Sequence, residues 1–257
     1  MDQFPPAPPP PVPQLPESNL APELDAVPWR AREGIFVAAL GIITGLFLSA
    51  LVAAIIRPHA GSLTDDQRNV LTLAVTALIE LSLGVWVWMW VRIRHRRGLK
   101  ALGFRFRPTD VGAGLLAAFV GLIAANIVTQ IYISITQRIT HHTYHQPKQL
   151  PSHLHGAGQL SLAFVAVVVI APIAEELFFR GFLYQALRKW LGASRGIVFS
   201  AAIFAMAHFS PVLIFAIFPL GVVLGFVFDR RGSVVASITT HMTYNLIGFI
   251  ALVVSAR

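Results

Sequence analysis

The 257-residue sequence has no cysteine, and only 12% of its residues are charged, about half the share of an ordinary soluble domain. Without thiols, disulfides, thiolate nucleophiles and cysteine-ligated metal centres are excluded. No His-Glu-x-x-His zinc helix occurs and no serine-nucleophile elbow is expected, so the common hydrolase signatures are missing. Apolar sequence takes their place: 55% of the residues are hydrophobic, and the few charges cluster, leaving long uncharged runs. That is the pattern of a membrane protein, not of a large soluble core. The net charge is +8. The basic residues fall between apolar runs, where Lys and Arg orient helices and meet anionic headgroups, so the partner implied is the lipid bilayer and not nucleic acid.

Residues 1–30 hold ten of the seventeen prolines, including Pro8-Pro9-Pro10-Pro11, and form a disordered Pro-rich tail by composition. Such a run could also dock a proline-binding module; its partner is not specified by the residues. A cleavable signal peptide is not expected, because the start lacks a basic stretch and the first apolar run is long. Residues 31–257 form the transmembrane domain. Apolar spans are expected near 34–56, 69–91, 111–136, 159–179, 195–209, 211–228 and 233–255, against roughly 20 residues per crossing. The fold class is therefore all-α, a polytopic bundle of about seven spans. The span at 195–209 is short, and Pro211 and Pro219 interrupt the next one. Short or broken helices are tolerated where they line a protein-enclosed cavity, which directs attention to about 159–255 as the catalytic core.

The loop after the second span carries Arg92, Arg94, Arg96, Arg97, Lys100, Arg105 and Arg107, and is placed in the cytoplasm. Counting seven spans then puts the N-terminus inside, together with Arg188, Lys189, Arg195, Arg230 and Arg231. An inner-membrane location follows as an expectation. The loop 137–158 would face out. Its His141, His142, His145, His153 and His155 read as a solvated loop, with metal binding or pH sensing as the sharper alternative.

Ionisable residues inside apolar spans cost at least about 2.5 kcal/mol each at the bilayer centre and default to functional candidates. Here they are Glu80, Glu175, Glu176, Arg180, His208 and His241. Glu80 reads first as bundle packing or snorkelling, with a role along a substrate path as the alternative. Glu175 and Glu176 are adjacent, so on a helix they point about 100° apart and take different jobs. Arg180 lies four residues after Glu176, on the same face, and suits an ion pair with it. Glu175 is then the freer carboxylate and the candidate general base. His241 and Asn245 also share a face at i, i+4. Counting about 1.5 Å per residue from the expected helix ends puts Glu175, His208, His241 and Asn245 in one buried layer. Intramembrane polar residues can act simply as glue between helices. An acid, two imidazoles and an amide together are more reactive than packing requires.

The chemistry suggested is water activation. Glu175 would take a proton from water, and His208 and Asn245 could donate hydrogen bonds to a developing oxyanion. The same side chains could instead hold a divalent metal such as zinc through Glu175, His208 and His241. The residues leave both open.

Glu-Glu-x-x-x-Arg at 175–180, Phe-x-x-x-His at 204–208 and His-x-x-x-Asn at 241–245 resemble the three motifs of the CPBP family (CAAX protease and bacteriocin-processing), which includes type II CAAX prenyl endopeptidases. Leu102-Gly103-Phe104-Arg105 is also similar to family members. The resemblance covers about residues 159–250. It implies a helical intramembrane glutamate protease whose site opens toward the cytosol, sometimes described as a metalloprotease. Glu175 would be the water-activating glutamate, Glu176 a carboxylate that interacts with His241, and His208 with Asn245 the oxyanion pair. Arg180 and Phe204 would support the site. The expected substrate is a peptide or membrane-protein segment, prenyl-CAAX-like in some relatives. The competing readings are a non-proteolytic bacteriocin-immunity or binding protein on the same scaffold, and a transporter. The transporter reading is disfavoured because no internal repeat of spans is found.

Overall fold

The computed structural model describes residues 27–141, 154 and 156–255. The tail through residue 26 lies outside them, as do His142, His145, His153 and His155 of the His-rich loop. Among the described residues the chain is helical, without strands. Seven helices follow in order: α1 (Ala31–Ile56), α2 (Asp65–Arg94), α3 (Pro108–Thr140), α4 (Gly156–Leu191), α5 (Ala193–Met206), α6 (Pro211–Arg231) and α7 (Val234–Ser255).

Local sequence explains where they start and stop. Thr64 and Gln67 form a reciprocal capping box that begins α2, with Asp65 and Asp66 in its first turn at the positive end of the helix dipole. Pro108 opens α3 and Pro211 opens α6, where a missing N–H costs nothing. Gly232 closes α6 in the left-handed conformation at φ 58°, after Arg230 and Arg231 in the last turn.

Six of the helices are long and apolar enough to cross a bilayer. The exception is α5. The expected span at 195–209 is a 14-residue helix that ends at Met206, about 21 Å long against a hydrocarbon core of about 30 Å. The strict count of seven crossings is therefore six long helices and one short one. The α5–α6 pair is a hairpin: α5 leaves the end of the bundle that carries Arg195, and α6 returns to that end at Arg231.

That end gathers the basic residues. Arg188 pairs with Asp229 at 2.8 Å, Arg231 with the buried Asp110 at 2.7 Å, and His95 with Glu33 at 2.8 Å. Lys189 Nζ donates to the Val27 carbonyl at 3.3 Å. Val27 and Trp29, grouped by composition with the tail, are buried instead: Trp29 is fully buried, stacks on Phe182 and donates its indole N–H to the Phe182 carbonyl at 2.9 Å. An indole satisfies its one donor and buries a large ring in a single contact, which outweighs the surrounding prolines. The Leu102-Gly103-Phe104-Arg105 stretch also sits at this end. Leu102 is fully buried, Gln185 donates to the Ala101 carbonyl at 3.0 Å, and the Gly103 carbonyl accepts from Val234 N at 2.8 Å.

Helix α4 is central and touches α1, α2, α5, α6 and α7. It is not uniformly α-helical. Phe164–Ile170 and Leu177–Tyr184 are π-helical, and between them lies the six-residue α-turn Ala171–Glu176. Each π segment widens the helix and alters its side-chain register, a feature concentrated at functional sites.

Small residues let α1 and α2 approach closely. A Cβ on Gly45 would lie 2.7 Å from Ile79 Cα, and one on Gly41 would lie 2.9 Å from Leu83 Cα. Backbone cannot yield as a flexible side chain does. Gly45→Val should therefore push the helices apart and destabilise the detergent-solubilised protein by about 1–3 kcal/mol. Gly248→Ala, with nothing within 4 Å of the added carbon, should leave the thermal unfolding midpoint unchanged or raise it.

Candidate active site

Three helices bring the polar residues together, some of them buried and Glu175, His208 and Asn245 partly so. From α4 come Glu175, Glu176 and Arg180; from the end of α5, Phe204 and the following His208; from α7, His241 and Asn245. Glu176 Oε1 is the node. It accepts from Arg180 Nη1 at 2.8 Å and faces His241 Nδ1 at 3.0 Å. Arg180 and Glu176 are fully buried, and His241 is nearly so. The i, i+4 ion pair within α4 and the contact to α7 thus coexist on one oxygen. Arg180 Nη2 donates to the Gly221 carbonyl on α6 at 3.1 Å, adding a third helix.

Phe204 organises the other side. The Arg180 guanidinium stands 4.5 Å above its ring, a cation–π contact. His208 and His241 meet the same ring edge-on, with centroids at 5.1 and 5.7 Å. His208 Nδ1 lies 2.9 Å from the Phe204 carbonyl. A carbonyl only accepts, so Nδ1 carries the proton and Nε2 is left over.

Glu175 is placed differently from its neighbour. It is half-buried, and its Oε2 lies 3.6 Å from His241 Nε2, beyond a direct hydrogen bond. With its Nδ1 toward Glu176, His241 turns Nε2 toward Glu175. One carboxylate is locked and the other makes no direct hydrogen bond. Asn245 donates Nδ2 to the Val167 carbonyl at 2.8 Å. Val167 lies within the first π segment, where the hydrogen-bonding pattern is changed, and the second N–H of Asn245 is left over.

The metal alternative does not fit this arrangement. Among the described residues no three His, Asp or Glu side chains converge as a metal-holding group. Glu175 and His241 approach each other, and no third ligand joins them among the described residues. A serine nucleophile fares no better. A Gly-x-Ser-x-Gly string does occur, contrary to expectation, at Gly192-Ala193-Ser194-Arg195-Gly196. It forms the α4–α5 turn, with no strand feeding it, so the strained strand-to-helix elbow is not formed.

Residues 157–247 match the profile of the family described as Type II CAAX prenyl endopeptidase Rce1-like. This stretch is an Rce1-like domain. It spans most of α4, all of α5 and α6, and α7 through Ile247. A curated relative, the UPF0177 protein YbdI of Lactococcus lactis subsp. lactis (strain IL1403), is 29% identical over 128 residues, covering 49% of this chain and 68% of its own. No solved structure matches with significance. The six long apolar helices and the Rce1-like domain make the chain an integral membrane protein.

Some participants had no signal in the residues. The Gly221 and Val167 carbonyls act through the backbone, and any residue type offers a carbonyl. Glu80 was visible as a charge in an apolar span, but its neighbours were not.

Removing Arg180 would leave the Glu176 carboxylate buried without its cation. Arg180→Ala should cost about 3–5 kcal/mol of stability in detergent micelles. Exchanging both partners, as Glu176→Gln with Arg180→Met, should recover much of that loss in the same unfolding measurement.

Proposed function

We propose that the chain is an intramembrane endopeptidase that hydrolyses a peptide bond of a membrane-associated substrate with water activated by Glu175. The observation that carries this reading is the unequal treatment of two adjacent glutamates. Glu176 is locked by Arg180 and His241, whereas Glu175 is half-buried and faces His241 Nε2 at 3.6 Å.

In the proposed reaction Glu175 takes a proton from water, and the hydroxide adds to the scissile carbonyl carbon. The tetrahedral oxyanion needs donors, which Asn245 and a protonated His208 would supply. Asn245 has a spare N–H while its other is anchored to Val167. His208 Nε2 is an acceptor when the ring is neutral and donates only as an imidazolium, because Nδ1 is engaged with Phe204. The proton on Glu175 then passes to the leaving amine as the C–N bond breaks. His241, with Glu176 behind it, keeps Glu175 oriented.

The Rce1-like domain supports a substrate of the CAAX type, a prenylated peptide tail. A peptide leader or a membrane-protein terminus has the same requirement for a scissile amide near the membrane. The gathered basic end supports a cytoplasmic placement of that end and of the N-terminus, since short cytoplasmic loops are rich in Lys and Arg.

The test compares membrane peptide termini by mass spectrometry in cells carrying wild type, Glu175→Gln, or no protein. Termini present only with wild type are expected, and they would also name the substrate. Identical termini with wild type and a well-expressed Glu175→Gln would instead favour a binding or immunity role on the same scaffold.

A further inference from the structure

Glu80 lies on α2, outside the Rce1-like stretch, and its placement joins it to the site. Leu73, Ala77, Glu80, Gly84, Val87 and Val91 recur at alternating intervals of four and three, one stripe of the helix. Leu73, Ala77, Val87 and Val91 are all buried. Gly84 fixes what this stripe faces: a Cβ there would lie 3.3 Å from the Cβ of Ala174, the residue beside Glu175. Glu80 is one turn away, about 6 Å along the same face.

The two helices run in the same direction. Asp66, Gln67 and Val70 at the start of α2 line one cavity with Gln159 near the start of α4. Glu80 and Glu175 lie on either side of the Gly84–Ala174 approach, about 7.5 Å apart along the parallel axes, and their side chains lean the same way. Glu80 is near enough for its charge to act on Glu175. Among the described residues Glu80 has no hydrogen bond or ion pair, so no cation offsets it. The other charged groups that act on Glu175 are Glu176 and Arg180, and those two are paired with each other.

Two carboxyl groups whose charges reach each other inside an apolar bundle are poorly tolerated as two anions; one proton held by the pair resolves the conflict. We infer that Glu80 is a positioning residue of the hydrolytic centre, a second carboxyl that shares a proton with Glu175 and aims it at the attacking water. This rests on Glu175 acting as the base. It gives α2 a part in the reaction and assigns the isolated charge of that span a purpose other than packing.

The experiment uses full-length protein in lipid nanodiscs and, as probe, a synthetic peptide spanning the bond cut only in wild-type cells. Wild type, Glu175→Gln, Glu80→Gln, Glu80→Asp and Glu80→Ala are assayed together, and thermal unfolding is followed for each. Glu80→Gln is expected to lower kcat about 10–100-fold, with KM within about twofold and unfolding unchanged. Glu80→Asp, which keeps the acid, should recover kcat to within about fivefold of wild type. Full kcat in Glu80→Gln would overturn the inference, as would equal losses in Gln, Asp and Ala that track a lowered unfolding midpoint. Undiminished kcat in Glu175→Gln would instead remove the reading on which it rests, and the inference with it.

Discussion

A single carboxylate oxygen ties the catalytic half of this protein together. Glu176 Oε1 serves Arg180 on its own helix and His241 on α7, and Arg180 carries the link onward to the Gly221 carbonyl of α6 and the Phe204 ring of α5. In an apolar bundle a buried charge is stable only when paired and hydrogen-bonded. The helices around Glu176 are therefore held to one arrangement, because any other would strand a charge. Association by van der Waals packing alone would allow sliding. The node prevents it, and the neighbouring Glu175, the proposed base, inherits a fixed frame.

The second ingredient is the altered winding of α4. Continuous α-helix would present residues on a regular 3.6-residue schedule. Instead the glutamates sit on a short α-turn flanked by π segments, and the first of these supplies the Val167 carbonyl that accepts from Asn245. The same amide is thus anchored by one N–H and left with another. Backbone irregularity at membrane depth is permissible only when protein side chains satisfy the freed groups, and here one of them belongs to the proposed site.

Much of this was legible because helices have fixed periods. The four-residue spacing of Glu176 and Arg180 announced their ion pair, and adjacency of the glutamates announced unequal roles. The short span at 195–209 was visible by counting. Less accessible were features that depend on which helices meet. Trp29 looked like part of a proline-rich tail, yet its indole is buried against Phe182. Glu80 looked like an isolated charge, and only the Gly84–Ala174 approach shows that its helix face meets α4. Carbonyl partners such as Gly221 leave no trace in residue type. The Gly-x-Ser-x-Gly string at 192–196 shows the converse, a pattern without the strand that would give it meaning.

The shortness of α5 reaches beyond the protein. Its outward face is apolar, with Val198, Phe199, Ile203 and Met206 exposed, and the following Phe209 is 91% exposed at φ 51°. A helix about 21 Å long leaves its end, beside His208, about 9 Å short of the far edge of the hydrocarbon. A helix that falls short of the hydrocarbon is accommodated by local thinning of the bilayer or by flanking residues that reach for the interface, here at the flank of the proposed active site. A thinner leaflet there lowers the barrier for water and for a peptide approaching sideways. Bilayer thickness, a property of the host membrane, thereby becomes a determinant of how readily the buried carboxylate is reached.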